Sequence, residues 1–190
     1  MTIEPLTAAQ LPQLHDIIVG YTAREKYSIL RQETPEETIF RLRLTQLPAP
    51  VDISYGEISD EDMARYSRLV GNGCCFAVMA DGQFAGAALA EPRAWNQTLW
   101  VWEFHIAPAF QQQGLGRLLM TRLIETAVSR KLRAIVCETQ SHNVPTIRFY
   151  RKMGFVLDGI DLSYYTNEDY EPKQNAAIFM KRKIHESGGK

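Results

Sequence analysis

Residues 100–123, WVWEFHIAPAFQQQGLGRLLMTRL, constrain this chain more than any other stretch. Trp100, Val101, Trp102, Phe104 and Ile106 are aromatic or β-branched and suit a pleated, half-buried strand. Pro108 ends that run. Past the turn, Leu115, Leu118, Leu119, Leu123 and Ala127 recur at helical spacing. The first N–H groups of such a helix have no internal partner, and the helix dipole leaves that end positive. Glycines at 114 and 116 remove the Cβ atoms that would hold a ligand off the backbone. A strand feeding Gly-x-Gly into a helix therefore suits a pyrophosphate. The same glycines also suit a tight turn with close helix–sheet packing, and the residues alone leave both readings open. A dinucleotide loop would need a third glycine where Leu119 stands. A P-loop would need Gly-Lys-Ser/Thr where the chain has Gly116-Arg117-Leu118.

Around this centre the chain alternates between helical and strand patterns. Leu11, Leu14, Ile17 and Ile18 predict a helix over residues 7–21 with Thr7 as N-cap. Thr34-Pro35-Glu36-Glu37 reads as a second helix start, a capping threonine followed by proline and a glutamate three residues on. That helix would carry Ile39, Phe40, Leu42 and Leu44 and stop before Pro48. Asp52, Glu57, Asp60, Glu61 and Asp62 form an acidic stretch without a base, either a solvated loop or a rim that attracts a cation. Residues 74–91 hold two strands joined at Asp81-Gly82, a hairpin signal, and a loop over 92–97 leads into the Trp100 strand. After the central helix, residues 133–140 form a strand reached by a helical crossover, hence parallel to its predecessor. Asn143 caps a short helix that ends at Gly154. Two closing strands, at 156–165 and 176–181, flank a polar loop, and residues 187–190 read as a frayed tail.

Composition narrows the classes further. A length of 190 residues suits one domain. A net charge of −1 gives no electrostatic reason to expect nucleic acid or a membrane as partner. No apolar run is long enough to span a bilayer and the N-terminus lacks a signal pattern, so the expected location is the cytoplasm. Cys74, Cys75 and Cys137 fit neither a zinc site nor a disulfide framework, and the four histidines are scattered. No metal is expected.

Gln111-x-x-Gly114-x-Gly116, after a strand ending in Ile106-Ala107-Pro108, resembles the Q/R-x-x-G-x-G/A signature of the GNAT acetyltransferases. A second block, Asn143-x6-Tyr150-x3-Gly154-Phe155, stands where that family has N-x6-Y-x3-G-F. The resemblance covers roughly residues 84–184. It implies an α/β fold with a mixed, mostly antiparallel central sheet, a splayed pair of parallel strands and helices on both faces. It further implies one domain over 1–190, with a cofactor-binding core at about 84–184 and an acceptor-side half at about 1–83.

The resemblance also implies acetyl-CoA as co-substrate and a set of site residues. The loop Gln111, Gln112, Gln113, Gly114, Leu115, Gly116 and Arg117 would hold the pyrophosphate. Phe104, His105 and Ile106 would offer the backbone edge on which the pantetheine arm lies, with little dependence on their side chains. Tyr150 stands at the general-acid position, and Asn143 would cap its helix and contact CoA. An acetyl transfer also needs a base for the acceptor ammonium. Glu138 matches the base position of the ribosomal-protein N-terminal acetyltransferases. Glu103 is the reserve, as base or as a ligand of the substrate ammonium.

Within the superfamily the C-terminal half is similar to streptothricin acetyltransferases, through Glu138-Thr139-Gln140, the block from Asn143 to Phe155, and Gly159-x-Asp161-x-x-x-Tyr165. That implies a small-molecule amine acceptor of cationic character and a role in antibiotic resistance. A protein N-terminal or lysine acetyltransferase is the alternative. A non-catalytic acyl-CoA-binding regulatory domain is the alternative of another class. The oligomeric state stays open, a homodimer included.

Overall fold

The computed structural model describes residues 1–171 and 175–184; the tail at 187–190 lies outside them. The described chain groups into two compact units. The first takes in Met1–Val19, Tyr55–Cys137 and the chain from Lys181, and the second Gly20–Ser54 and Glu138–Met180.

The first unit is built around β5 (Gln83–Arg93), whose Ala85, Ala87, Ala88, Leu89 and Ala90 are fully covered. Such a run of small apolar residues suits a strand buried on both faces. β1 (Thr2–Pro5), β4 (Phe76–Ala80), β5, β6 (Thr98–Ile106) and the start of β7 (Ala134–Gln140) lie side by side in that order. All pairings are antiparallel except β6 with β7. Asp81 and Gly82 take φ of 51° and 77°, as a two-residue β4–β5 turn requires. Gly86 marks a close backbone approach: a Cβ there would lie 2.5 Å from the His105 carbonyl oxygen.

β6 departs from regular pairing at one position. Leu89 faces Glu103 and Ala90 faces Val101, so Trp102 is an extra residue, a β-bulge. The ladder to β5 continues to Ile106, whereas the registered parallel ladder to β7 runs from Thr98 and Ala134 to Val101 and Cys137. Beyond β6, α3 (Leu115–Ser129) buries Leu115, Leu119, Met120, Leu123 and Ala127 and leaves Leu118 exposed.

On the other side of this unit, Leu6, Leu11, Leu14, Ile17, Tyr66, Leu69, Ala87 and Leu89 share one core. It includes a 3-10 turn (Ala8–Gln13), α1 (Leu14–Ile17) and α2 (Asp60–Leu69). The N-terminal helix is therefore shorter than the periodicity predicts. Pro12 sits inside the 3-10 turn, α1 stops at Ile17, and Tyr21 already begins a strand. The acidic stretch is not a single solvated loop. Asp60, Glu61 and Asp62 form the first turn of α2, and Ser59 Oγ accepts from the Asp62 N–H at 3.1 Å. Three acids there offset the positive end of the helix.

The second unit contains the largest correction. The predicted helix after Thr34 is instead the outer strand of a long hairpin, β2 (Tyr21–Glu33) with β3 (Thr38–Ile53). Pro48 and Pro50 fall in the register break between Ala23 and Glu25, where a missing N–H costs no ladder bond. α4 (Val144–Lys152) begins at Asn143, whose Oδ1 accepts from the Thr146 N–H at 3.3 Å. The hairpin is tied within this unit by Tyr27 N–H to the Ser141 carbonyl, 2.9 Å, and by Arg151 donating to the Tyr27 hydroxyl, 2.8 Å. β8 (Val156–Asp161) and β9 (Ala177–Lys183) complete the strands, β9 lying between β7 and β8. β8 ends at Asp161, short of the predicted Tyr165. β5 in turn runs through Pro92 and Arg93, which the sequence assigns to a loop.

Candidate functional site

In the first unit the bulge at Trp102 decides where side chains go. Glu103 and His105 pair with Leu89 and Ala87, so they share the face of the core beneath α2. Trp102 reaches the same side: the Arg65 guanidinium lies 4.6 Å over its ring and its indole N–H donates to Glu91 at 3.0 Å. Glu103 is held at both oxygens. The Tyr66 hydroxyl donates to Oε1, and Oε2 lies 2.8 Å from His105 Nε2. The edge of Tyr55 rests against the His105 ring, centroids 5.7 Å apart. Tyr66 is only 3% exposed, and burial first, then the Glu103 carboxylate, pushes its phenol far above the ordinary tyrosine value. It remains a proton donor. The sequence reading used His105 for its backbone alone. The overlooked signal is the Glu-x-His spacing, which on a strand puts both side chains on one face.

The loop after β6 is fastened by its glutamines. Gln111 Nε2 donates to the Ile106 carbonyl at 3.0 Å and Gln113 Nε2 to the Ala109 carbonyl at 3.1 Å. Gln112 and Gly114 take φ of 61° and 88°. Gly114 is the N-cap of α3, without a side-chain cap hydrogen bond, and the Leu118 N–H to Gly114 carbonyl bond, 3.1 Å, opens the helix. No acid stands in the first turn; Arg117 does, a cation at the end of the dipole that disfavours it. Residues 111–114 and Arg117 are exposed. Exposed N–H groups, no capping side chain and an added positive charge suit an anion with several oxygens, and a pyrophosphate fits that description.

In the second unit Glu138 of β7 accepts from the Tyr165 hydroxyl. Desolvation of the hydroxyl first, then the Glu138 carboxylate, raises the Tyr165 phenol, although the residue as a whole is 38% exposed and solvent screens part of the effect. Tyr21 donates to Gln140 Oε1 at 2.7 Å, and Tyr164 meets Tyr165 edge-on with centroids 5.3 Å apart. Glu138 thus belongs to a tyrosine-rich neighbourhood. Its hydroxyl donor lies 27 residues away in sequence, where spacing alone gives no sign of it. Tyr150, on α4, is 4% exposed, with ring centroids 5.7 Å from Phe149 and 5.4 Å from Phe155.

Two raised phenols carry a consequence for stability. Below a pH of about 10 both folded and unfolded tyrosines are protonated; above it the unfolded chain loses protons that the folded chain keeps. Stability therefore falls as pH rises past about 10. Urea denaturation between pH about 9 and 11 should show that decline in the parent and a flatter one in Tyr66→Phe and Tyr165→Phe. Identical slopes in all three proteins would refute the assignment.

All three cysteines are buried, and burial pushes the Cys75 thiol up to about 11, which suits packing rather than nucleophilic chemistry. Among the described residues no group of three or more His, Cys, Asp or Glu is arranged to hold a metal ion. No helix among them is long and apolar enough to cross a membrane.

A mixed, mostly antiparallel sheet, one parallel pair and a strand–glycine loop–helix unit define an acyltransferase-type scaffold. Residues 37–155, well over half of the chain, match the Acetyltransferase (GNAT) family, and the chain belongs to that family. The streptothricin acetyltransferase of Streptomyces lavendulae is 38% identical over 104 residues, covering 55% of this chain and 54% of that protein. The chain thus spans about half the length of the curated relatives it matches. Among solved structures, a nourseothricin acetyltransferase superposes with a TM-score of 0.77 at 21% identity, over 97% of this chain and 98% of that one. A Bacillus anthracis chain assigned as a streptothricin acetyltransferase, solved in complex with acetyl coenzyme A, gives 0.75 at 18% identity, over 96% and 99%. At such identities these two structures speak to the fold.

Proposed function

We propose that this chain transfers the acetyl group of acetyl-CoA to a primary amine of a small cationic acceptor, with a streptothricin-like antibiotic as the favoured substrate. The observation that carries the transferase reading is the behaviour of β6: its ladder to β7 ends at Val101 while its ladder to β5 runs on to Ile106. The backbone of Phe104, His105 and Ile106 is the edge assigned to the pantetheine arm. The N–H groups of residues 112–117 take the pyrophosphate, with Gln111 and Gln113 fixing the loop by their side chains. Asn143 caps α4 and contacts the cofactor.

Acetyl-CoA supplies an activated thioester. Glu138 takes the proton of the acceptor ammonium, so that a free amine attacks, and Tyr150 gives its phenolic proton to the departing sulfur. Glu103 holds the ammonium before transfer. Acceptor choice is assigned to the N-terminal half, about residues 1–83, and the reaction to the cytoplasm. The test is thiol release from acetyl-CoA, with mass spectrometry of products, across streptothricin, aminoglycosides, polyamines and N-terminal peptides. Streptothricin and polyamines should be acetylated best. A preference for peptides would move the chain to the protein N-terminal class. Tight acetyl-CoA binding with no transfer to any amine would make it a regulatory binding domain.

A further inference from the structure

We propose that Tyr66 and His105 form a clamp that orients Glu103, and that the clamped carboxylate is what selects a cationic amine as acceptor. The inference rests on the transferase reading above, which gives Tyr66 no role and uses only the backbone of His105. Both carboxylate oxygens are engaged from within the first unit, Oε1 by the Tyr66 hydroxyl and Oε2 by the His105 ring. Neither partner is a lysine or arginine. The nearby guanidinium of Arg65 pairs with Asp62 and lies over the rings of Trp102 and Tyr66, 4.6 and 5.5 Å from their centroids. Glu103 therefore sits in a mostly covered place with both oxygens oriented by a tyrosine and a histidine. Its side chain is 19% exposed and that of His105 17%, enough for an incoming ammonium to reach the pair.

A carboxylate fixed at both oxygens pays little ordering entropy when a cation arrives, whereas a mobile glutamate must first be held. Tyr66 is suited to this duty by its burial. Its hydroxyl stays a neutral donor, adds no counter-charge, and is anchored by a ring packed among Leu11, Leu14, Leu69 and Leu89. The bulge at Trp102 completes the arrangement, since it brings Glu103 onto the face where Tyr66 stands. Tyr66 acts through Glu103 and is a positioning residue.

The experiment is steady-state kinetics with a polyamine acceptor on the parent, Tyr66→Phe, His105→Gln, Glu103→Gln and the double variant Tyr66→Phe/Glu103→Gln, each with its melting temperature. Losing one charge-assisted hydrogen bond should raise the acceptor KM about tenfold in Tyr66→Phe, with kcat and the acetyl-CoA KM nearly unchanged there, and the acceptor KM should also rise in His105→Gln. Glu103→Gln should raise the acceptor KM more, and the double variant should be no worse than Glu103→Gln alone, because the tyrosine has nothing left to orient. Lowered melting without a KM change, additive effects in the double variant, or equal rises in both KM values would overturn the clamp while leaving the transferase reading intact. If the parent itself transfers acetyl to no amine, the transferase reading falls and the clamp falls with it.

Discussion

Tyr150→Phe should lower kcat by at least about a hundredfold while acetyl-CoA still binds, because general acid catalysis contributes on the order of a hundred- to ten-thousandfold. The substitution removes one oxygen from a ring that is 4% exposed and keeps the aromatic contacts with Phe149 and Phe155. Its cost in stability is about the worth of one hydrogen bond, roughly 1 kcal/mol. Rate and fold are therefore separable in this variant. Single-turnover measurements are the decisive form of the test, since they isolate the chemical step from product release. A Tyr150→Phe enzyme with the parent's single-turnover rate would show that this tyrosine only packs α4 against its neighbours.

The second large effect concerns the loop that opens α3. Gly116→Val should weaken acetyl-CoA binding by about a hundredfold, as two charge-assisted hydrogen bonds to the pyrophosphate are displaced. Gly116 is the better test position because it lies inside α3, outside the set of positive-φ glycines, so valine meets no backbone strain there. Gly114 differs: its φ of 88° would strain any side chain, and a weakened loop would confuse the result. Valine is also a better helix former than glycine by a few tenths of a kcal/mol, and the melting temperature of the variant separates a folding effect from a binding effect. Calorimetric titration with acetyl-CoA reads the affinity. Parental affinity in Gly116→Val would place the anion somewhere other than this loop.

The chain from the β4–β5 turn onward was readable because its signals are local. Asp81-Gly82 turns a hairpin, Asn143 caps α4, and the Leu115 periodicity makes α3, each decided within a few residues. The hairpin of β2 and β3 misled for a physical reason. Thr34 Oγ1 does accept from the Glu36 and Glu37 N–H groups, at 3.3 and 3.1 Å, as a helix cap would. There the Thr34 N–H also donates to the Glu37 carbonyl at 2.8 Å, and the turn closes on itself. The residues that follow, with Phe40, Leu42 and Leu44 alternating, prefer the two-residue period of a strand. Long-range pairing overrode a genuine local cap. The candidate residues divide in the same way. Glu103, Glu138 and Tyr150 are proposed from the family resemblance. The hydroxyl donors of the two glutamates could not be named that way, because Tyr66 reaches Glu103 across 37 residues and Tyr165 reaches Glu138 across 27.

One inserted residue in β6 has a wider meaning for how such a strand can change. Before Trp102 the beat of alternate side chains serves packing, with Leu99 and Val101 sealed on one side. After it the beat is offset by one, and the side that carried Trp100 now presents Glu103 and His105. The strand behaves like a line of verse with a held syllable: the words on either side can be rewritten separately as long as the pause stays. Chemistry downstream and architecture upstream are thereby uncoupled within nine residues.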